Sequence, residues 1–252
     1  MNSFISWIGG KKILRNSIVN EFPDKKTYKR YVEVFGGAGW ILFSSEKHAE
    51  IEVYNDINGN LVNLFRCVKY HPEEVQKELE FILMSREQFC EAKAQVDVQG
   101  MTDIQRAARF YTLIRESFGA DLRSFGLRGK DMDRAREYLL IVSKRLNKVI
   151  IENQDFKKVI NNHDRVDTLF YLDPPYYDAE KYYSVKFTQE DHIQLKEMLS
   201  KIKGKFILSY NDCAYIREQY KEYNIVEVDR MHNLLLAKGG GRYQELIIKN
   251  FA

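Results

Sequence analysis

A short run of residues, Asp173-Pro174-Pro175-Tyr176, could bind a planar amino group. It directly follows the apolar run 168–172, which has the composition of a buried strand. The prolines lack an N–H group and restrict the residues before them to extended geometry, so the turn should be stiff, with carbonyls free to accept hydrogen bonds. Asp173 adds a carboxylate, and Tyr176 adds a face on which a base can stack. Together these groups suit the exocyclic amine of a nucleobase. The alternative is an ordinary proline-rich strand exit.

A second candidate site follows an earlier predicted strand, residues 31–35, which runs into Gly36, Gly37 and Gly39. A glycine-rich turn between a strand and a helix lets the backbone approach a ligand closely. Asp56 lies twenty positions after Gly36, at the end of the next predicted strand. In dinucleotide-binding folds, an acid at this place accepts hydrogen bonds from the ribose hydroxyls. The pairing favours a bound adenosine, whereas a glycine turn alone can serve packing.

The glycine pattern discriminates between adenosine cofactors. The sequence lacks the strict G-x-G-x-x-G pattern for a pyrophosphate and the G-x-x-x-x-G-K-[ST] pattern of ATP sites. A cofactor with adenosine but no phosphate fits better, and methyl transfer uses one, S-adenosylmethionine. An NAD oxidoreductase is disfavoured, also because no hydride-transfer site is evident.

Hydrophobic spacing predicts that one α/β sheet domain carries both sites. A helix over residues 40–48 and the strand that ends before Asp56 complete a βαβ pattern, and helical spacing continues over 57–69. A later helix is predicted after Thr188 as N-cap, with Gly204 just past its end. The other predicted strands are residues 149–151, 168–172, 206–210 and 244–248.

The middle of the chain predicts a helical insertion. Residues 72–146 are mostly helical in spacing and contain a loop at 119–130. We therefore expect an interrupted catalytic domain. Its predicted bounds are 1–70 and 147–252, with the insertion at 71–146.

Composition favours a globular protein that works inside the cell. The chain has 252 residues, of which 44% are hydrophobic and 30% charged, and a net charge of +3 permits a local nucleic-acid contact without requiring one. No apolar run is long enough for a bilayer, and no signal peptide is recognisable, which predicts a cytoplasmic protein without a membrane partner. The three cysteines and five histidines are dispersed, which predicts reduced thiols and no metal site.

The two candidate sites belong to a longer ordered set of segments. Besides the tetrapeptide and Phe35-Gly36-Gly37-Ala38-Gly39, the set contains Trp7-Ile8-Gly9-Gly10-Lys11, Asn55-Asp56-Ile57-Asn58, Asp155-Phe156, and Gly239-Gly240-Gly241-Arg242 followed by Glu245-Leu246. Together these segments resemble the Dam-like family (D12 class) of DNA adenine-N6 methyltransferases. The resemblance covers most of the chain.

The resemblance implies a Rossmann-like methyltransferase sheet with a helical target-recognition insertion. It implies transfer of a methyl group from S-adenosylmethionine to N6 of an adenine in double-stranded DNA. The implied cofactor contacts are Trp7, Lys11, Phe35, Gly36, Gly37, Gly39, Asp56, Asp155, Phe156 and Asp173. For Asp155 a plain N-cap role stays open. Glu33 is expected either beside the methionine end of the cofactor or facing solvent.

The implied chemistry explains the tetrapeptide. Adenine N6 is a poor nucleophile because its lone pair is delocalised into the ring. Our hypothesis is that Asp173 and the Pro174 carbonyl accept hydrogen bonds from the two N–H groups of N6. These bonds would direct the nitrogen lone pair toward the methyl group. The carboxylate then stabilises the positive charge that develops on the nitrogen, and positioning supplies much of the rest. The base must leave the duplex, and we expect it to stack on Tyr176.

DNA contacts are expected on the insertion, where cations surround glycines and Phe125. The candidates are Arg115, Arg123, Arg128 and Lys130, with Arg242 in the later glycine-rich loop. A solvated loop is the alternative. The loop differs from the longer recognition segment of better-known relatives, so the resemblance does not specify the target sequence.

Two other functions stay open on the sequence alone. The same clamp could methylate another planar amine, such as an RNA adenine or a glutamine amide. The chain could also be a non-catalytic DNA-binding subunit with the same fold. The sequence does not specify the oligomeric state or whether a companion restriction nuclease exists.

Overall fold

A seven-stranded mixed sheet forms the centre of the protein. The computed structural model describes residues 1–82, 85–98, 100–126, 131–178, 187–231 and 242–252. The strands are β1 (Arg30–Glu33), β2 (Ile51–Asn55), β3 (Val149–Glu152), β4 (Thr168–Leu172), β5 (Lys205–Asn211), β6 (Asn224–Met231) and β7 (Arg242–Lys249). The predicted α/β fold class is therefore confirmed.

Helices separate most of the strands along the described chain, and several follow one another between β2 and β3. They are α1 (Arg15–Asn20), α2 (Gly59–Tyr70), α3 (Pro72–Glu80), α4 (Arg86–Ala94), α5 (Asp103–Glu116), α6 (Met132–Leu146), α7 (Phe156–His163), α8 (Gln189–Leu199) and α9 (Ala214–Gln219). Within the described ranges, no helix has both the length and the apolar character needed to cross a membrane.

The order of the strands creates a crevice between β1 and β4. The sheet runs β3-β2-β1-β4-β5-β7-β6. The first five strands in this order are parallel, whereas β7 is antiparallel to both of its neighbours. Chain order runs outward in opposite directions from β1 and β4, and such a switch point is where open α/β sheets bind ligands, at the carboxyl ends of the strands. The glycine turn follows β1, and Asp173 follows β4.

Helices cover both faces of the sheet and produce two cores. On one face, Phe170 and Leu208 pack with helix residues such as Leu195 on α8. On the other face, α3, α5 and α6 pack on α2 and share a single apolar cluster with the sheet, which includes Tyr111 and Leu139. The central helices are thus joined to the sheet by a common core.

One predicted helix is wrong. Residues 40–48 contain only a single 3-10 turn, Leu42–Ser44. The segment from Trp40 to Phe43 is buried at every position, so it has no polar face to leave in solvent. The Ser44 hydroxyl donates to the Ile41 carbonyl at 2.6 Å, a local bond that competes with helix propagation.

The helix start at Thr188 is confirmed, whereas the role of Gly204 is different from the prediction. Thr188 and Asp191 form a capping box at the start of α8. The helix ends at Leu199, before Gly204. A β-carbon on Gly204 would lie 2.7 Å from the Thr168 carbonyl oxygen, so this glycine permits close packing of two backbone segments.

The C-terminal strands extend further than the sequence predicts. β7 begins at Arg242, two residues before the predicted strand 244–248, so Arg242 belongs to a strand and not to a loop. Its partner β6 was not predicted at all. This strand has charged residues between its apolar ones and lies at the sheet edge, where one side of the backbone stays unpaired.

A buried ion pair fastens the insertion to the sheet. Arg145 on α6 donates to both carboxylate oxygens of Glu52 on β2, at 2.9 and 2.7 Å. The Arg145 side chain is 7% exposed and that of Glu52 is 3% exposed. Arg145 also donates to the carbonyls of Leu42 and Ser45, which holds the segment after the glycine turn.

We predict that Arg145→Met lowers the free energy of unfolding by about 3–5 kcal/mol, because it leaves the Glu52 carboxylate buried without its partner. Urea denaturation measures the change. The control is Lys221→Met, which breaks an ion pair with Glu218 whose side chains are each 68% exposed and should change stability by less than about 1 kcal/mol. Equal effects of the two substitutions would contradict the structural role of the buried pair.

Candidate functional site

A cavity of about 210 Å³ lies at the carboxyl ends of β1 and β4. Six separate parts of the chain form its wall: the segment before α1, the end of β1 with the glycine turn, the end of β2, the loop after α5, the end of β4 with the turn that follows it, and the segment before α8. The lining residues used below are Trp7, Lys11, Glu33, Phe35, Gly36, Gly37, Asp56, Leu122, Arg123, Asp173, Pro175 and Phe187. The fold therefore brings most of the predicted cofactor contacts into one cavity, together with Asp173, Pro175 and Arg123.

The glycine turn is shaped by a tyrosine beneath it. A β-carbon on Gly36 would lie 2.2 Å from Cε2 of Tyr54, and the Tyr54 hydroxyl donates to the Gly37 carbonyl at 2.6 Å. Gly37 and Gly39 have φ angles of +50° and +67°, which glycine adopts without steric cost. All three predicted glycines are thus required by the geometry of the turn.

Asp56 ties the end of β2 to the glycine turn. Its carboxylate accepts hydrogen bonds from the backbone N–H groups of Gly37 and Asn58, both at 2.8 Å. Burial raises the pKa of this carboxyl, and the backbone N–H groups oppose that shift. The acid and the turn therefore act as one rigid unit at the cavity wall.

The segment before α1 closes the cavity from the other side. The Trp7 indole packs against the turn, since a β-carbon on Gly37 would lie 3.1 Å from its Cδ1 atom. Lys11 is buried, and its ammonium donates to the Gly9 carbonyl at 2.9 Å. Its stronger partner is Asp173, whose Oδ1 atom lies 2.7 Å from Lys11 Nζ.

Asp173 is held by several polar groups. Besides Lys11, the Ser209 hydroxyl on β5 donates to Oδ1 at 2.8 Å, and the Tyr171 hydroxyl is 3.1 Å from Ser209 Oγ. Burial raises the pKa of Asp173, while the nearby Lys11 ammonium opposes the shift. The carboxylate thus has a fixed orientation at the mouth of the β1–β4 crevice.

Tyr176 is anchored at both ends. The Pro174-Pro175 backbone holds one end, and the Tyr176 hydroxyl donates a short hydrogen bond to Glu245 Oε2 on β7. Lys11 Nζ lies 4.7 Å from the centroid of the ring, within the range of a cation–π contact.

Glu33 belongs to the cavity wall and does not face solvent. It is 2% exposed, and its Oε2 atom accepts hydrogen bonds from the Tyr31 hydroxyl at 2.9 Å and the Leu42 N–H at 2.8 Å. Burial raises the pKa of Glu33 to about 8. Of the two positions left open by the sequence, the structure shows the one beside the cavity.

Asp155 and Phe156 lie at the start of α7. Asp155 is the N-cap and accepts from the Lys157 N–H at 2.9 Å. The Phe156 ring is 5.6 Å from the rings of both Phe35 and Phe187, which line the cavity. Phe156 therefore supports the aromatic wall from behind.

The predicted DNA-contact residues are only partly described. Arg123 is exposed at the cavity rim, and Arg115 is half-buried near the end of α5. Arg128 and Lys130 lie outside the described residues, as does the side chain of Arg242. In the part of the chain that the structure does cover, no group of three or more His, Cys, Asp or Glu side chains is arranged to hold a metal ion.

Sequence reasoning missed the roles of three residues. Ser209 reads as part of an apolar strand, Phe187 as a residue before a helix, and Glu245 only as part of a family segment. A polar residue inside an otherwise buried apolar strand was the available signal for both Ser209 and Glu245. Neither signal identifies the partner, which lies far away in sequence.

Comparisons with known proteins agree with this geometry. The family model described as D12 class N6 adenine-specific DNA methyltransferase matches residues 7–234. The chain belongs to this family. It is therefore an adenine-specific DNA methyltransferase that uses S-adenosylmethionine, as the sequence predicted.

Relatives extend over nearly the whole chain. Type II methyltransferase M1.LlaDCHI of Lactococcus lactis subsp. cremoris is 25% identical, covering 100% of this chain and 96% of that protein. Type II methyltransferase M.CviBI of Paramecium bursaria Chlorella virus NC1A is 22% identical and covers 100% of both. The DNA adenine methylase of Haemophilus influenzae is 25% identical, and the match covers 90% of this chain and 86% of that protein.

The residues of the cavity fit S-adenosylmethionine. Trp7 and Phe35 provide flat apolar surfaces for an adenine ring or a methionine chain, and Asp56 provides an acceptor for ribose hydroxyls. The absence of a β-carbon at Gly36 and Gly37 lets the rings of Tyr54 and Trp7 pack against the turn, which shapes the cavity wall that a ligand would contact.

We predict that Gly36→Ala lowers the free energy of unfolding by about 1–3 kcal/mol, because the added methyl group collides with the buried Tyr54 ring and forces the turn to move. Urea denaturation measures this. Gly59→Ala is the matched control, since its β-carbon would meet only Asn153 Oδ1 at an ordinary 3.7 Å, and its stability should change by less than about 1 kcal/mol. An unchanged Gly36→Ala variant would show that the turn adapts without cost.

Proposed function

We propose that Asp173, Pro174, Pro175 and Tyr176 hold the target adenine for methylation at N6, after it has flipped out of double-stranded DNA. One observation carries this proposal: the Asp173 carboxylate and the glycine turn line the same cavity at the β1–β4 switch point. The acceptor and the cofactor would therefore meet beside a fixed carboxylate.

The cofactor-binding half consists of the turn and the walls around it. We assign cofactor contacts to Trp7, Lys11, Phe35, Gly36, Gly37, Gly39, Asp56, Asp155, Phe156 and Asp173. S-adenosylmethionine supplies an electrophilic methyl group when it is bound. The support for Phe156 is indirect, since its ring packs against Phe35. Asp155 has its N-cap bond as a further role.

Asp173 would act by accepting hydrogen bonds from the target amine. The nitrogen becomes positively charged as it gains a methyl group, and a carboxylate already oriented by Ser209 needs little reorganisation to stabilise that charge. Lys11 occupies Asp173 Oδ1 in this structure. The amine must therefore bind the other oxygen, or Lys11 must shift when the base enters.

We predict that Asp173→Ala lowers the methylation rate by at least about a hundredfold, because the preorganised acceptor is lost. Transfer of labelled methyl groups to DNA measures the rate, and titration calorimetry measures cofactor affinity, which should largely survive. The matched control is Asp167→Ala at the opposite end of β4, which should retain full activity. An active Asp173→Ala variant would refute the assignment.

The helical insertion, residues 71–146, is proposed to recognise the target sequence. Its loop after α5 supports this role because Leu122 and Arg123 line the cavity rim. We assign DNA contacts to Arg123 and to the further cations Arg115, Arg128, Lys130 and Arg242. An exposed guanidinium at the mouth of the cavity suits a phosphate or a guanine edge.

We predict that Arg123→Ala lowers the slope of log affinity against log salt concentration by about one unit, because one phosphate contact is lost. Fluorescence anisotropy with duplex DNA measures the slope. Arg165→Ala is the control. Arg165 is also exposed, but it precedes β4 and therefore lies at the opposite end of the strands from the cavity. A slope that Arg123→Ala leaves unchanged would count against the contact.

Two relatives are named type II methyltransferases, and on that ground we propose a companion restriction nuclease as a protein partner. Methylation-aware sequencing of duplex DNA treated with the enzyme would identify the target site. If the partnership is correct, DNA methylated at that site resists the nuclease, and cleavage of fully methylated DNA would exclude it.

A further inference from the structure

A buried acid on the antiparallel strand of the sheet reaches the same site. Glu245 lies on β7 opposite Asn211 of β5 and is 3% exposed. The next three residues of its strand are apolar and buried. Burial of a carboxylate costs several kcal/mol unless other groups compensate, so an apolar residue would serve the strand better than Glu245 does.

Glu245 belongs to a cluster of four side chains that also contains Tyr176, Lys11 and Asp173. Its Oε2 atom accepts the Tyr176 hydroxyl and lies 3.8 Å from Lys11 Nζ. Lys11 in turn contacts Asp173 at 2.7 Å and lies over the Tyr176 ring. Three distant parts of the chain thus meet around one ammonium group, which lies between two carboxylates.

We propose that Glu245 is a positioning residue for methyl transfer, which holds the Tyr176 ring in the orientation that receives the target adenine. The inference rests on the proposed function, because it takes Tyr176 as the stacking surface. Glu245 acts through Tyr176 and need not touch the base.

The geometry of a tyrosine shows how two contacts can hold the ring. The hydroxyl oxygen lies on the axis of the ring's own rotation, so its bond to Glu245 fixes the direction of that axis but not the rotation about it. The rotation is restricted by groups against the ring faces, and Lys11 is one of them. Because Glu245 also lies near Lys11, it contributes to both restraints.

The expected size of the effect follows from the tolerance of active sites. A catalytic arrangement must be held to within about 0.5 Å and 10–20°, and a misplacement of about 1 Å can cost a hundredfold in rate. Without the Glu245 acceptor, the Tyr176 hydroxyl loses its buried partner and the ring can tilt beyond that tolerance.

The test is a double-mutant cycle on the full-length enzyme with duplex DNA that contains the target site. Glu245→Ala and Tyr176→Phe each remove the same hydrogen bond, and each should lower kcat by about tenfold to a hundredfold. The kcat of the double variant should be no more than about twofold below that of the less active single variant, because the effects of two residues that act through one contact do not add. Glu245→Gln keeps an acceptor oxygen of the same shape and should recover most of the loss.

The control variant is Glu227→Ala, which removes an exposed acid on the neighbouring strand β6 and should leave kcat unchanged. Cofactor affinity and the unfolding midpoint distinguish loss of positioning from loss of structure, and the affinity should stay within about threefold in all variants. If Glu245→Ala does not fold, Tyr176→Phe alone decides, since an unchanged kcat there overturns the proposal.

Failure of this inference differs from failure of the proposed function. If the wild-type enzyme transfers methyl groups and Asp173→Ala does not, the proposed function stands. Additive losses in the double variant, or an unchanged kcat in Glu245→Ala, would then overturn the positioning role of Glu245 alone.

Discussion

The parallel pairing of β1 with β4 is the constraint on which the site depends. Glu33 lies opposite Tyr171 in this register, and the Val34 N–H continues the pairing by donating to the Tyr171 carbonyl at 3.0 Å. Both strands therefore end at the same level, and the residues that follow them emerge side by side. A slip of one residue would turn the side chains of one strand to the opposite face. The glycine turn after β1 and Asp173 after β4 are neighbours only because this register is fixed.

The site concentrates several buried charged groups at one end of the sheet. Glu33, Asp173 and Glu245 are carboxylates at one end of the sheet, with Lys11 as the buried cation among them. Burial raises the pKa of Glu33 to about 8, so the folded protein binds this proton more tightly than the unfolded chain does. Its contribution to stability therefore falls as the pH rises from about 4.5 to about 8. Near neutral pH the Glu33 carboxyl is therefore largely protonated, and it adds a negative charge to the cavity wall only above about pH 8.

The sequence predicted the residue types of the site better than their partners. Strand periodicity and the turn residues identified Gly36, Asp56 and Asp173, because each follows a strand and the carboxyl ends of parallel strands share one edge. Residues 40–48 misled the prediction because their apolar part, Trp40 to Phe43, is buried at every position and has no helical periodicity to test. Glu245 was recognised only as part of a segment. Its place beside Tyr176 depends on an antiparallel strand inserted between β5 and β6, which local pattern does not specify.

The loop after α5 connects the central helices with the wall of the cavity. Ala120 and Leu122 have positive φ angles, which cost of order 1–3 kcal/mol each in residues other than glycine. The Asp121 carboxylate offsets part of this cost by accepting the backbone N–H groups of Arg123 and Ser124, at 2.9 and 3.0 Å. The helix that precedes the loop shares its core with α2, which begins just after Asp56.

The hydrogen bonds within this loop give the cavity wall its shape without a ligand. A loop that reached its shape only on contact with DNA would have to lose its conformational entropy at that step, at about 1–2 kcal/mol per residue. Here Asp121 and the adjacent backbone bond of Phe118 to Ser124 set the shape beforehand. The same loop lines the cavity beside Trp7 and the glycine turn, so the hydrogen bonds that hold the loop also hold the cavity wall and position Arg123 at its rim.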